Sequence, residues 1–252
     1  MSKLRIGITA LFLVCFTIGV NAQAKKTTAK KTTVKKTATR KTTVKKPAPV
    51  ANAPKQIRVS GPRVRVTTDS GVIVLRLYDK TPKHRDNFIK LANEHFFDSL
   101  LFHRVINNFM IQGGDPQSKN AVPGTMLGSG DIGYTIPAEF DTTLFHKKGA
   151  LAAARTNNPE KASSGCQFYI VQGKKYTDAE LTMIEMQAGI KFSPAKRAIY
   201  KTLGGTPFLD MNYTVFGEVE TGLEVIDKIA SVSVDGNNRP LVDVHMYIEV
   251  IK

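Results

Sequence analysis

The residues best suited to do chemistry lie between Phe102 and Asp115, a stretch that reads Phe-His-Arg-Val-Ile-Asn-Asn-Phe-Met-Ile-Gln-Gly-Gly-Asp. Read as two strands joined at Asn107-Asn108, it puts Arg104 on one face with Phe102 and Ile106, because side chains alternate along a strand. A guanidinium has five donors and no acceptor, so among apolar neighbours it requires fixed acceptors or a ligand. Spacing alone leaves two readings open. One is a structural Arg held by a core carboxylate or carbonyls; the other is a donor aimed at a substrate. Other chemistries find less support. Gly128-Ser-Gly130-Asp-Ile-Gly133 matches G-x-G-x-x-G, but Tyr134-Thr-Ile-Pro137 follows where a dinucleotide site requires a helix. A flexible surface loop fits it better, and no cofactor is expected. The five His form no H-E-x-x-H and pair with no Cys, so no metal site is expected. No G-x-S-x-G occurs, and Cys166 has no signalled partner, so no hydrolytic nucleophile is expected.

The elements that must position Arg104 are mostly strands. Arg63-Val64-Arg65-Val66-Thr67 alternates, Asp69-Ser70-Gly71 supplies a turn, and Val72 to Tyr78 continues as a strand, giving an opening hairpin. Thr81-Pro82 predicts a helix start, with Thr81 as N-cap and Pro82 at the first helical position. Phe88, Leu91 and Ala92 then form its buried stripe. Strand-like runs follow at 101–106, 109–112, 149–155, 167–172, 213–219 and 244–251, with a second helix over 222–231. Many short strands with Gly-rich turns and two separated helices predict a closed antiparallel barrel with helical caps. The segment 174–205 behaves differently. Thr177 and Glu180 fit a capping box, with Leu181, Ile184 and Ala188 on one face. Ser193-Pro194 starts another helix, with Ile199 and Leu203 aligned and Gly204-Gly205 as its stop. This predicts an inserted helical hairpin.

Charge divides the chain. The whole carries 36 Lys+Arg against 21 Asp+Glu, a formal net charge of +15. Thirteen of those bases fall in residues 1–56, which hold no acid, leaving 23 bases against 21 acids in 57–252. Residues 57–252 are thus nearly neutral and suffice for a single core. Residues 1–24 read as a secretory signal: Lys3 and Arg5, an apolar run from Ile6 to Val20, then Ala22-Gln23-Ala24 as cleavage signature. Export to the periplasm or beyond, with cleavage after Ala24, is the expectation. It would remove Cys15 and leave Cys166 as the only thiol. Residues 25–46 repeat KKTTA-like pentads, adding like charge and almost nothing apolar, and Pro47, Pro49 and Pro54 follow. The stretch 25–56 is expected to be a disordered linker. It is either a solvated spacer or an arm that contacts envelope polyanions; no specific nucleic acid is expected.

The segment 102–115 closely resembles the signature of the cyclophilins, a family of peptidyl-prolyl isomerases. Two further blocks resemble the family in the same order: Gly149-Ala-Leu-Ala-Ala-Ala-Arg155 followed by Ser164-Gly-Cys-Gln-Phe-Tyr-Ile170, and Phe208-Leu-Asp-Met-Asn-Tyr-Thr-Val-Phe-Gly217. The resemblance runs from about 63 to 251. It implies an eight-stranded closed barrel with two capping helices, an active groove on one outer face, and rotation of X–Pro bonds in proline-containing polypeptides without any cofactor. By position, Arg104 is the catalytic residue, with Phe109 and Gln112 beside it. Met110, Tyr169 and Leu209 form the proline pocket, and Phe102, Phe208 and Tyr213 belong to the same substrate surface. Ala154, Arg155 and Gln167 line the rim, and Gly124 and Thr125 match a Gly-Thr at the far end of the groove.

Some positions depart from the best-known eukaryotic pattern. Arg155 stands where Asn is usual, Tyr169 where Phe is, Phe208 at a frequent Trp position and Tyr213 at a frequent His position. Losing the indole donor implies weak cyclosporin binding rather than lost catalysis. The insertion 174–205 is longer than the family core. It is either a surface elaboration packed on the barrel or a flap that selects substrates. A rival to the enzyme reading is a non-catalytic clamp for Pro-peptides or a partner.

Overall fold

The structure is a computed structural model, and it describes residues 60–252. The expected signal, linker and the first residues of the domain lie outside the described residues.

Among the described residues, eleven strands and four α-helices follow one another. The opening hairpin is β1 (Arg63–Thr68) and β2 (Gly71–Leu77), turned at Asp69-Ser70 with Thr68 opposite Gly71. Helix α1 (Pro82–Asn93) comes next, then β3 (Leu100–Leu101), β4 (Arg104–Ile106) and β5 (Met110–Gly113). After a long loop containing β6 (Thr135–Ile136) come β7 (Ala150–Ala153), β8 (Ser163–Ser164) and β9 (Phe168–Val171). The insertion supplies α2 (Asp178–Ala188) and α3 (Pro194–Thr202). The chain closes with β10 (Val215–Thr221), α4 (Leu223–Ala230) and β11 (His245–Ile251).

Nine strands form one antiparallel sheet in the order β3-β11-β1-β2-β10-β7-β9-β5-β4, and β6 pairs with β8 apart from it. A mostly β fold with a curled antiparallel sheet and few helices therefore stands. The expected count of eight strands does not, because the run 101–106 divides. Leu100 and Leu101 pair with β11, whereas Arg104 to Ile106 pair with β5. Phe102 and His103 lie at the switch.

Alternation on these strands fills two layers. Val64, Val66, Ile73, Leu75, Val105, Ile111, Leu151, Phe168 and Ile170 point into the main core with Phe88 of α1 and Ile226 and Ile229 of α4. Phe88 meets Phe168 edge-on at 5.3 Å and lies 4.9 Å from Phe97, a packing of rings that adds to simple burial. The other faces of β5, β7 and β9 carry Met110, Ala150, Ala152, Tyr169 and Val171, which form a second apolar cluster. Both faces are thus covered, which is why β7 and β9 are buried at every position.

Helix caps follow the sequence in part. Thr177 and Glu180 make the full capping box, Gly189 closes α2 in the left-handed conformation, and Ser193 caps α3. Thr81 does not cap α1 through its side chain. The first-turn donors of Lys83 and His84 instead reach the Glu139 carboxylate at 3.1 and 3.0 Å, from a loop far along the chain. Within the insertion, Leu181, Glu185 and Tyr200 are the buried positions of the two helices, and Ala188 and Leu203 are exposed. The two helices share a small core of Tyr176, Leu181, Phe192 and Tyr200.

Candidate active site

One cross-strand row carries the site. Arg104 on β4 lies opposite Gln112 on β5, Gln112 opposite Tyr169 on β9, and Tyr169 opposite Ala152 on β7. Antiparallel partners share a face, so the ladder alone brings Arg104, Gln112 and Tyr169 together. Met110, two residues before Gln112, joins the same face. Phe109 stands beside it at the β4–β5 turn, where Asn108 adopts φ 61°.

These side chains surround a cleft of about 120 Å³. Arg104, Gln112, Ala154 and Arg155 line it together with Phe109, Met110, Tyr169, Leu209 and Tyr213. An engineered apolar cavity of roughly 150 Å³ takes up benzene, so this cleft suits one small ring. Its floor is apolar and buried at Met110 and Tyr169. Its rim is stiffened by Arg155, which lies over the Tyr213 ring at 4.7 Å and donates to the Asn212 carbonyl at 2.9 Å.

Arg104 is half-buried. Its Nη1 donates to Gln112 Oε1 at 3.2 Å, and no carboxylate lies within salt-bridge distance of it among the described residues. Burial lowers its pKa from the usual value, yet a guanidinium stays charged at any physiological pH. Among the described residues this Arg is thus held by no core carboxylate, and the acceptor of its side-chain bond is the Gln112 amide oxygen. Gln112 Nε2 donates to Gln167 Oε1 at 3.1 Å, and Gln167 Nε2 donates to the carbonyls of Gly128 and Gly130 at 3.0 and 2.7 Å. A chain of amides thus fixes the acceptor that orients Arg104, leaving the remaining guanidinium donors unassigned.

The G-x-G-x-x-G loop is pinned rather than flexible. Besides Gln167, the buried Asp115 carboxylate accepts the Gly128 N–H, and a Cβ at Gly130 would come within 2.1 Å of Asp115 Oδ1. Gly130 thus serves close packing against Asp115.

Other expected site residues lie elsewhere. Phe102 is fully buried (0 % exposed) in the main core, edge-on to Phe168 at 6.3 Å, and cannot touch a substrate. The reason is the change of pairing partner at 102–103, which interrupts the alternation that placed it beside Arg104. Gln167 is buried behind Gln112 instead of forming an open rim. Phe208 is 47 % exposed and stacks on Phe109 at 5.8 Å, extending the apolar surface outside the cleft. Gly124 and Thr125 lie on an exposed loop and line no part of the cleft. Arg239 clasps that loop by donating to the Ala121, Val122 and Thr125 carbonyls while paired with Asp243.

Two buried His networks escaped the sequence. His84 Nδ1 meets Glu139 at 2.7 Å and its Nε2 meets Ser163 Oγ at 3.0 Å, an arrangement of Ser, His and carboxylate. Ser163 is only 1 % exposed, so the set braces α1 and is closed to substrate. His146 bonds to Asp210 and to Tyr169 behind the cleft. No spacing rule connects residues so far apart in the chain.

A curled antiparallel sheet thus carries a partly apolar, ring-sized cleft with a guanidinium at its edge that has no carboxylate partner among the described residues. A family model for cyclophilin type peptidyl-prolyl cis-trans isomerase/CLD matches residues 63–250. A Staphylococcus haemolyticus protein named as a peptidyl-prolyl cis-trans isomerase is 34 % identical over 191 residues, covering 75 % of this chain and 91 % of its own. A Streptococcus pyogenes protein named as a bifunctional phosphatase/peptidyl-prolyl cis-trans isomerase is 39 % identical over 189 residues. That match covers 73 % of this chain and only 37 % of the streptococcal one. In fold, the chain is similar to a crystal structure of a Cryptosporidium parvum cyclophilin type peptidyl-prolyl cis-trans isomerase. The TM-score is 0.56 at 20 % identity, covering 76 % of this chain and 98 % of the other. A second structure of that protein, obtained in the presence of the dipeptide Ala-Pro, gives a TM-score of 0.55. The chain belongs to the cyclophilin-type peptidyl-prolyl cis-trans isomerases.

Proposed function

We propose that this isomerase rotates X–Pro bonds in the cleft beside Arg104, with the prolyl ring seated against Phe109, Met110, Tyr169 and Leu209. The observation that carries the reading is the half-buried Arg104 guanidinium, oriented by Gln112 and without a carboxylate partner among the described residues. The barrier of roughly 18–20 kcal/mol comes from delocalisation of the amide nitrogen lone pair. In the twisted state that lone pair localises and accepts a hydrogen bond. A donor from Arg104 is then stronger in the transition state than in the ground state, which is the condition for acceleration. No bond forms or breaks, so no nucleophile or proton relay is called for. The Cryptosporidium structure obtained with Ala-Pro supports a prolyl dipeptide unit as the core of the substrate.

The substrates are polypeptides exported with the enzyme, and its role is to assist their folding in the cell envelope. The signal-like residues 1–24 and the basic repeats 25–46 support that reading, the repeats as an arm toward envelope polyanions. Phe208 in place of an indole supports weak cyclosporin binding. The nine-strand ladder is consistent with a closed barrel, since its end strands β3 and β4 are separated in the chain only by Phe102 and His103.

The test is cis/trans exchange of an Ala-Pro peptide measured by NMR with the full chain and with residues 57–252. Equal acceleration by both is expected; no acceleration by either refutes the reading, and loss only on truncation makes the basic segment part of the site.

A further inference from the structure

Behind the cleft floor lies a set of buried polar groups that rotation of a prolyl bond does not itself require. Tyr169 turns its ring toward the cleft and its hydroxyl away, 3.0 Å from His146 Nε2. His146 Nδ1 is 3.0 Å from Asp210 Oδ1, which also accepts the His146 backbone N–H at 3.0 Å. Tyr200 donates its hydroxyl to the Asp210 carboxylate, lying 2.9 Å from each oxygen, and Lys196 Nζ is 3.3 Å from Oδ2. Tyr169, His146, Asp210 and Tyr200 are all buried. Lys196 and Tyr200 belong to α3 of the insertion, and Asp210 directly follows Leu209 of the cleft wall.

Chemistry fixes the direction of each bond. Burial would raise the Asp210 carboxyl, but the His146 bonds and the Lys196 charge hold it below the usual value. A carboxylate only accepts, so Nδ1 carries a proton, and in the neutral ring Nε2 is the acceptor for the Tyr169 hydroxyl. The phenol is thereby committed to the protein interior, and its ring offers the cleft an apolar surface. The hydroxyl that Tyr169 has and Phe lacks is satisfied only because this chain of partners exists.

The insertion is also stitched to the same place at its stem. Gly205 N donates to the Lys174 carbonyl at 3.0 Å, Lys148 N to Gly204 at 3.0 Å, and Thr206 N to His146 at 2.8 Å. A Cβ at Gly205 would lie 2.2 Å from the His146 carbonyl oxygen, so the approach requires glycine there.

We propose that the inserted hairpin positions the proline pocket: Tyr200 and Lys196 act through Asp210 and His146 to fix Tyr169 and Leu209, and so set the affinity for the prolyl ring. The proposal rests on the reading of the cleft as that pocket. Neither α3 residue reaches the rotating amide, so the effect falls on binding shared by ground and transition states and appears in KM.

The test is Tyr200→Phe, which removes one hydroxyl and keeps the ring within its cluster, assayed on an Ala-Pro peptide. KM is expected to rise roughly fivefold, at the low end of usual coupling between sites, with kcat within about twofold. In a Tyr169→Phe background the same change is expected to raise KM less than in the wild type, because the route through His146 is already cut and only that through Leu209 remains. Met186→Ala on the exposed side of α2 is expected to leave both constants unchanged. A folded Tyr200→Phe variant with unaltered KM, or additive effects in the double variant, overturns the proposal. Should Tyr200→Phe fail to fold, ring nitrogen NMR of His146 in the wild type decides: a proton on Nδ1 is expected, and one on Nε2 overturns it. An inactive wild type refutes the pocket itself, whereas an active wild type with an unaffected Tyr200→Phe refutes only the coupling.

Discussion

Replacing Arg104 by Ala removes the guanidinium that Gln112 orients at the cleft, and its effect follows from the surroundings of that side chain. Arg104 makes a single side-chain hydrogen bond, to Gln112 at 3.2 Å. Losing it costs about 1 kcal/mol of stability, small against the roughly 5–15 kcal/mol of a folded domain. Gln112 keeps its bond to Gln167, so the rest of the network stands. Catalysis is another matter. An uncatalysed X–Pro bond turns in tens to hundreds of seconds, and a turnover near 10³ per second lowers the barrier by roughly 7 kcal/mol. One transition-state donor is worth about 10²–10³ in rate, or roughly 3–4 kcal/mol, about half of the total. Arg104→Ala is therefore expected to turn over about 1–10 times per second, still well above the uncatalysed rate because the pocket and its apolar walls remain. Arg104→Lys is expected to fall between, since it restores charge without the fork. Exchange spectroscopy on an Ala-Pro peptide reads the rate, and a thermal melt verifies the fold. A folded Arg104→Ala enzyme within threefold of the wild-type rate would refute the donor mechanism.

Glu139→Ala uncaps α1 and strips the buried His84 of its partner, so a loss of about 2–3 kcal/mol and a Tm lower by roughly 5–10 °C are expected by calorimetry, with kcat/KM at 20–25 °C preserved. His103 is buried with neither ring nitrogen hydrogen-bonded, and burial depresses its pKa to about 4. An unfolded His protonates near 6.5, so between roughly pH 6.5 and 4 only the unfolded chain gains that proton. Stability is thus expected to fall as the pH drops through that window, by up to about 3 kcal/mol for this group, and His103→Phe should flatten the slope of urea-derived stability against pH. The burial-lowered pKa of His84 acts in the same direction and leaves a residual slope; an unchanged profile in the variant would exclude His103 as the source. Phe208→Trp adds an indole donor on the exposed ring that stacks on Phe109, and cyclosporin is expected to bind about tenfold more tightly by titration calorimetry.

How much of the site could be read from sequence depended on how local each signal was. Arg104, Phe109, Met110 and Gln112 sit within nine consecutive positions; one hairpin register sets Arg104, Met110 and Gln112 on a common face, and Phe109 joins them from the turn. Tyr169 and Ala154 followed from the second block. Phe102 was misplaced because alternation holds only while a strand keeps one partner, and the partner changes beside it. Thr81 stands at the N-cap as expected but makes no side-chain capping bond, because a helix N-terminus accepts any suitable oxygen and Glu139, distant in sequence, supplies it. The G-x-G-x-x-G loop has no mark of being pinned, since Asp115 and Gln167 approach it only through the fold.

The sequence by itself determined the mostly β class of fold and the hairpin register, and the family resemblance of its 102–115 block singled out Arg104. The first two rest on alternation, turn residues and contiguous spacing, which act over a few residues. Tertiary structure alone decided that Arg104 has no carboxylate partner among the described residues, and what stands behind the pocket. His146, Tyr169, Tyr200 and Asp210 come from four different segments, and a buried hydrogen bond depends on separation in space, for which separation along the chain is no guide.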